Sequence, residues 1–184
     1  MRALIVCGSG NAGGYTAAMC RGAAAGLTAA GWTAEVLPLA GLDIAHCTGC
    51  LHCKDGRGCV IRDGMDQLET VFRQADLFVA ASPIHFSGPS SLLKTALDRF
   101  NPYWYGKFPH PVWQAALLCG GRPDPNFTNT VSILKAFGAT VGMEWAGALT
   151  LGGADEKEAA SFEAAADAFV RTLRCGRSGK STLL

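Results

Sequence analysis

Four cysteines lie within thirteen residues of this chain: Cys47, Cys50, Cys53 and Cys59. Two, two and then five residues separate them, and they make up half of the chain's eight cysteines. Three glycines lie between these thiols, at positions Gly49, Gly56 and Gly58. We expect these glycines to adopt the positive φ that lets a backbone curl round a small inorganic group. The segment therefore predicts a metal or redox site rather than core packing.

Iron-sulfur ligation fits this spacing best, because two-residue gaps let successive sulfurs of a short loop reach adjacent corners of a cuboidal cluster. Structural zinc usually takes two Cys-x-x-Cys knuckles joined by a longer spacer, whereas these four thiols come from one tight loop. A redox disulfide and an empty thiol loop are further alternatives. The sequence has no second cysteine run, so we predict that the four thiols hold one four-iron four-sulfur cluster.

The composition of the 184-residue chain indicates one globular domain, since 49% of its residues are hydrophobic. A formal net charge of +1, without a concentration of basic residues, argues against a nucleic-acid partner. No apolar run approaches the roughly 20 residues that span a bilayer, and residues 4–7 are too few for a secretion signal, so we expect a cytoplasmic protein without a membrane partner. We assign residues 1–175 to one domain with an inserted cysteine loop at 46–60, and residues 176–184 to a flexible tail.

Short apolar runs alternate with helix-forming stretches along the chain. The predicted strands are residues 4–7, 33–37, 77–81, 115–119 and a run within 141–149. The predicted helices begin near Tyr15, Asp63, Pro89, Thr130 and Asp155, the last with a capping box between Asp155 and Glu158. This alternation predicts a parallel sheet covered by helices, with ligands held at the carboxyl ends of the strands. The loops at that edge are 8–14, 82–88 and 120–126.

The first of these loops matches a G-x-G-x-x-G pattern at residues 8–13. A nicotinamide site would need an acidic residue near the end of the second strand, but Glu35 lies inside that strand. The backbone amides of residues 9–16 and the hydroxyls of Ser9 and Thr16 instead predict a phosphate site at the start of the first helix. A tight turn without a ligand is the alternative.

Several local motifs resemble those of the iron-sulfur flavoproteins, a branch of the flavodoxin-like NAD(P)H-dependent FMN reductase family. The motifs are the four-cysteine loop, Asp63-Gly64-Met65, Ser82-Pro83-Ile84-His85-Phe86, Lys94 and Asp98-Arg99. The likeness spans roughly residues 1–150 and is most specific between residues 42 and 99. It implies a flavodoxin-like, doubly wound α/β fold, with a five-stranded parallel sheet of order 2-1-3-4-5 and helices on both faces.

The resemblance also implies that the chain binds FMN, with the flavin ring over the loop at 82–86. The FMN-binding residues that we expect are Ser9, Asn11, Gly14, Tyr15, Thr16, Ser82, Pro83, Ile84, His85, Phe86, Gly120 and Gly121. His85 could donate a hydrogen bond or a proton to the flavin, although a histidine at the end of a strand is more often structural. We interpret Asp98 and Arg99 as an exposed pair near a helix end.

These cofactors would make the protein an FMN-dependent oxidoreductase or electron-transfer flavoprotein. A flavin stores two electrons and a cluster passes one, so electrons would move between a ferredoxin-like donor or NAD(P)H and a small-molecule acceptor. The alternatives are a NAD(P)H-dependent flavin or quinone reductase without a cluster, and a non-enzymatic electron carrier or redox sensor. In the family the cluster loop lies near a flavin of the neighbouring subunit, which implies a homodimer or homotetramer.

Overall fold

Strands and helices alternate along residues 1–175, the part of the chain that the computed structural model describes. The expected tail at 176–184 lies outside the described residues. The strands are β1 (Arg2–Cys7), β2 (Thr33–Pro38), β3 (Leu77–His85), β4 (Gly88–Pro89), β5 (Trp113–Cys119) and β6 (Glu144–Leu151). The helices are α1 (Tyr15–Ala29), α2 (Gly64–Phe72), α3 (Ser91–Arg99), α4 (Pro102–Tyr105), α5 (Thr128–Val141) and α6 (Ala159–Thr172). None of these helices is both long and apolar enough to cross a membrane.

The sheet contains six strands rather than five. Its parallel strands run in the order β2-β1-β3-β5-β6, and β4 pairs antiparallel with the end of β3. The predicted five-strand order 2-1-3-4-5 is therefore wrong, because the chain turns back on itself after β3. Phe86 and Ser87 make this turn with φ angles of 50° and 62°, a two-residue hairpin that usually contains glycine or asparagine. Neither residue type signals such a turn in the sequence.

Helices cover both faces of the sheet, as predicted. Side chains of successive strand residues point to opposite faces, so Leu4 and Val6 pack with Phe72 of α2, whereas Ile5 packs with Leu27 of α1. All seven residues of β5 are buried, which is typical of a central parallel strand. The core therefore consists of two apolar layers, one on each side of the sheet.

Two predicted helix starts are wrong, and both errors lie at the carboxyl edge of the sheet. Pro89 belongs to β4, and the hydroxyl of Ser90 caps α3 instead by accepting the N–H of Leu93 at 3.2 Å. Asp155 does not cap α6, whose N-cap residue is Glu158. The backbone N–H of Asp155 donates to the carbonyl of Gly121 at 3.1 Å, which keeps this residue beside the sheet edge.

Arg99, the last residue of α3, holds both ends of the cysteine loop. Its guanidinium donates to the carbonyl of Ala45 at 2.8 Å and to that of Ile61 at 3.1 Å. The same nitrogens donate to the carboxylate of Asp63 at 2.6 and 3.2 Å, in the paired geometry that suits a guanidinium. Because Arg99 is only 2% exposed, its interpretation as half of an exposed pair is wrong. Asp98 does form an exposed pair, with Lys94.

Asp63 connects these contacts of Arg99 to helix α2. Its carboxylate accepts the backbone N–H of Met65 at 2.9 Å, which confirms Asp63 as the cap of α2, and that of Ala45 at 2.9 Å. Burial alone would raise the pKa of the Asp63 carboxyl, but the hydrogen bonds from Arg99, Met65 and Ala45 outweigh it, and the pKa lies below its ordinary value. Asp63 is therefore ionised at neutral pH.

We expect Asp63→Asn to lower the free energy of unfolding by about 3 kcal/mol, because the variant leaves the buried guanidinium without its counter-charge. The folded-state pKa of Asp63 lies below the unfolded value of about 3.9, so its contribution is complete above that pH and disappears as the pH falls further. The difference between wild type and variant should therefore stay constant from about pH 5 to 8 and narrow below about pH 4. Urea unfolding across this range measures it.

Asp98→Asn is the matched control, since its partner Lys94 lies one turn away on the surface of α3. We expect a loss of at most about 0.5 kcal/mol from this variant, as for other exposed pairs. If both variants lower the free energy of unfolding by the same amount, the Asp63–Arg99 pair does not hold the cysteine loop as we describe.

Candidate functional site

An open pocket lies at the carboxyl edge of the sheet, where β1, β3 and β5 end. The structure brings ten of the twelve expected FMN-binding residues to its wall: Ser9, Asn11, Gly14, Tyr15, Thr16, Pro83, Ile84, His85, Gly120 and Gly121. Their loops follow three different strands, and they meet because parallel strands deliver their carboxyl ends to one edge. The pocket encloses about 630 Å³ of space that is partly open to solvent.

The loop after β1 offers backbone donors to this pocket. The side chain of Asn11 accepts the N–H of Gly13 at 3.0 Å, and its backbone carbonyl accepts that of Gly14 at 3.1 Å, which fixes the turn. Gly14 then caps α1 without a side-chain hydrogen bond, and the first turn of α1 contains no acidic residue. The first N–H groups of α1 and its positive dipole end therefore remain available to an anion. These features fit a phosphate group at this position.

Ser82 and Phe86 do not line the pocket. Ser82 is fully buried, and its hydroxyl donates to the carbonyl of Pro83 at 2.8 Å and accepts the N–H of Ser90 at 2.9 Å. These two hydrogen bonds stabilise the backbone between Pro83 and Ser90. Phe86 lies fully exposed at the tip of the hairpin, with its ring away from the pocket wall. His85 does line the pocket and is exposed there.

Three further residues line the pocket wall: Cys119, which ends a predicted strand at the ligand edge, and Ala154 and Asp155, which no motif indicates. The thiol of Cys119 lies 3.2 Å from the hydroxyl of Thr16, and burial raises the pKa of this thiol. The sequence predicts Asp155 to be a helix cap. In the structure its side chain is the one carboxylate among the described residues of the pocket wall. Its position after the last strand was the available signal, because that strand also ends at the ligand edge.

The cysteine loop forms a second cavity at the far end of α3. All four thiols line this cavity, together with Arg99, Asn101 and Tyr105 from α3, α4 and the residues between them. Gly49, Gly56 and Gly58 have φ angles of 67°, 74° and 86°, as predicted, so the backbone curls round the space. Leu51 adopts the same region with a φ of 61°, although it is not a glycine.

The thiols lie close enough to influence one another. Burial is the largest cause that raises the pKa of Cys53, and the charges of Cys47, Cys59 and Cys50 raise it further. Thiolates that repel one another in this way favour a bound cation, which would neutralise them.

Four cysteine side chains line one cavity, a donor set that both structural zinc and iron-sulfur clusters use. Among residues 1–175, no three side chains of His, Cys, Asp or Glu converge tightly enough to hold one metal ion. A zinc ion needs four sulfurs at about 2.3 Å from one point, whereas a four-iron cluster takes each thiolate at a separate corner. The four cysteines round this cavity are therefore a donor set of the kind that holds iron-sulfur clusters.

Residues 1–140 match the NADPH-dependent FMN reductase family. An iron-sulfur flavoprotein of Archaeoglobus fulgidus is 29% identical over 143 residues, which cover 75% of this chain and 64% of that protein. An iron-sulfur flavoprotein of Methanocaldococcus jannaschii is 31% identical over 106 residues, which cover 58% of this chain and 55% of that protein. The chain thus matches less than two thirds of the length of these relatives.

The fold is also similar to that of a solved flavone reductase, with a TM-score of 0.75 and 22% sequence identity. The superposition covers 94% of this chain and 62% of that one, and it supports the flavodoxin-like α/β architecture. The family match, the two relatives and the motifs of the cysteine loop agree with one another. The chain belongs to the NADPH-dependent FMN reductase family, in its iron-sulfur flavoprotein branch.

Proposed function

We propose that this protein is an FMN-dependent oxidoreductase in which a four-iron four-sulfur cluster, held by the four thiols of the cysteine loop, exchanges electrons with FMN. The convergence of all four thiols on one cavity supports this proposal most directly. FMN supplies two-electron chemistry and the cluster one-electron chemistry, so the protein would connect a ferredoxin-like donor or NAD(P)H with a small-molecule acceptor.

The pocket at the carboxyl edge is the proposed FMN site. The amides at the start of α1 would bind the phosphate, with a further hydrogen bond from the hydroxyl of Thr16. Asp155 on the pocket wall would accept hydrogen bonds from ribityl hydroxyls, since a carboxylate only accepts. The backbone of residues 83–85 would lie along the flavin ring, where His85 can donate a hydrogen bond.

A second copy of the chain would bring cluster and flavin together. The proposed FMN pocket lies near the start of α3 and the cysteine cavity lies at its end, so a separation comparable to the length of this helix, about 14 Å, is expected within one chain. Exposed apolar side chains line the cavity at Leu51, Val60 and Tyr105, and exposed Trp104 directly precedes Tyr105 in the chain. Such a surface suits a homodimer or homotetramer in which the cavity of one copy faces the flavin of another.

A flavin or quinone reductase without a cluster is the second candidate. One observation favours it: no residue of the cysteine loop contributes to the described wall of the FMN pocket. Flavin binding in this pocket would therefore not depend on whether the thiols bind iron. An electron carrier without substrate turnover is the third.

We expect Ser9→Asp to weaken FMN binding at least tenfold, because a carboxylate beside the first turn of α1 would repel the phosphate. Riboflavin lacks the phosphate, so its affinity should change little. Fluorescence titration of the flavin-free protein with both ligands measures the two dissociation constants. Ser132→Asp, on the exposed side of α5, is the control for added charge. If Ser9→Asp weakens FMN and riboflavin equally, the phosphate is not bound at this loop.

We expect the anaerobically purified protein to contain about four iron and four sulfide ions per chain besides FMN. Replacing all four cysteines of the loop by serine should remove the iron and sulfide and leave the FMN content unchanged. Cys175→Ser is the control, because this cysteine follows α6 and lies outside the cysteine loop. It should leave the iron, sulfide and FMN contents unchanged. Chemical iron and sulfide assays with flavin absorption measure them.

Turnover separates the candidates in the same preparations. Loss of electron transfer to the acceptor in the all-serine variant, with FMN retained, supports the cluster-dependent oxidoreductase. FMN without iron in the wild type, together with rapid NAD(P)H oxidation, would establish the cluster-free reductase. Reduction by ferredoxin without any acceptor turnover would establish the carrier.

A further inference from the structure

Asn101 directs its side chain at a thiol instead of at the helix that it precedes. It is the N-cap residue of α4, a position where asparagine normally accepts an N–H from the first helical turn, but its side chain makes no such bond. Its Nδ2 donates to the sulfur of Cys47 at 3.4 Å instead. The side chain is exposed on its other side, so neither packing nor capping explains this orientation.

Arg99 has one donor left over beside a second thiol. Its two terminal nitrogens donate to Ala45, Ile61 and Asp63, whereas Nε is buried and has no hydrogen-bond partner among the described residues. Buried N–H groups are rarely left unpaired. Burial disfavours the Arg99 charge, but the bond to Asp63 and the neighbouring Cys59 thiol hold its pKa above the ordinary value. Cys59 lines the same cavity as this guanidinium, so its thiol is available to the unpaired Nε–H.

Both donors line the cysteine cavity, on the side that α3 and α4 form. A cluster gains one negative charge when it accepts an electron, and N–H groups aimed at its sulfurs stabilise the more negative form. The Arg99 guanidinium is paired with the carboxylate of Asp63, so its effect on the sulfurs would come from its N–H group. N–H donation from both residues makes reduction more favourable.

We propose that Asn101 and Arg99 set the reduction potential of the cluster, through N–H donation to the sulfurs of Cys47 and Cys59. This inference rests on the proposed function, because it requires a cluster in the cavity. The two residues are positioning and tuning groups rather than ligands. Arg99 is the last residue of α3, and the same helix begins beside the proposed FMN pocket.

The test is a potentiometric titration of the anaerobically purified holoprotein with dithionite, in which the signal of the reduced cluster is followed by electron paramagnetic resonance. Asn101→Leu keeps the size of the side chain and removes its donor. Arg99→Lys keeps the charge and removes Nε. We expect each variant to lower the ratio of reduced to oxidised cluster about tenfold at a given potential, a shift of about 59 mV for one electron. The FMN potential should stay unchanged.

Arg62→Gln is the charge control, because this arginine lies next to Ile61 but its side chain is 73% exposed. We expect a smaller shift from it than from either test variant. If Arg99→Lys fails to fold, the exposed Asn101→Leu decides alone. Full iron and sulfide with an unchanged midpoint in Asn101→Leu would overturn this inference and leave the proposed function intact. A wild-type protein without iron would overturn both.

Discussion

The buried guanidinium of Arg99 is the contact on which the cysteine loop depends. The loop has little core of its own, since its four thiols are exposed or only partly covered and its regular structure is one short 3₁₀ turn at His52–Asp55. Ordering each residue costs about 1–2 kcal/mol, so such a loop cannot hold its shape by its own contacts. Arg99 and Asp63 fix both ends of the loop, and the proposed cluster would add order through its bonds to the thiols.

Helix α3 transmits this constraint to the sheet. At its start the hydroxyl of Ser90 donates to the carbonyl of Gly8 at 2.5 Å, directly under the loop that we propose binds phosphate. A Cβ at Gly8 would lie 2.9 Å from that of Leu93, so only glycine allows the helix and β1 to approach so closely. One rigid helix is therefore fixed at the FMN pocket by Ser90 and at the cysteine cavity by Arg99.

Patterns that depend on local chemistry were predictable from the sequence. The five parallel strands, the cap at Asp63 and the positive φ of the loop glycines follow from apolar runs, capping preferences and the freedom of glycine. Features that depend on distant partners were not. The burial of Arg99 follows from carbonyls 38 and 54 residues away, and neighbouring Asp98 and Arg99 look like a surface pair until those partners are known. The hairpin at Phe86 uses residues that rarely adopt positive φ, so tertiary context overrides their preference.

The separation of the two sites explains how one-electron chemistry can be added to a flavin fold. The proposed FMN pocket is built from strand ends and the start of α1. The cysteine loop lies between β2 and α2, and the chain enters α2 at its cap residue, Asp63. Since the loop contributes nothing to the pocket wall, a cluster held there would change the electron donor and the potential but not flavin binding. Among its described residues that wall carries no lysine or arginine, so affinity for the proposed phosphate would come from backbone amides and the hydroxyls of Ser9 and Thr16. Amides keep their charge distribution at any pH, and FMN retention should then be insensitive to side-chain titration at the phosphate.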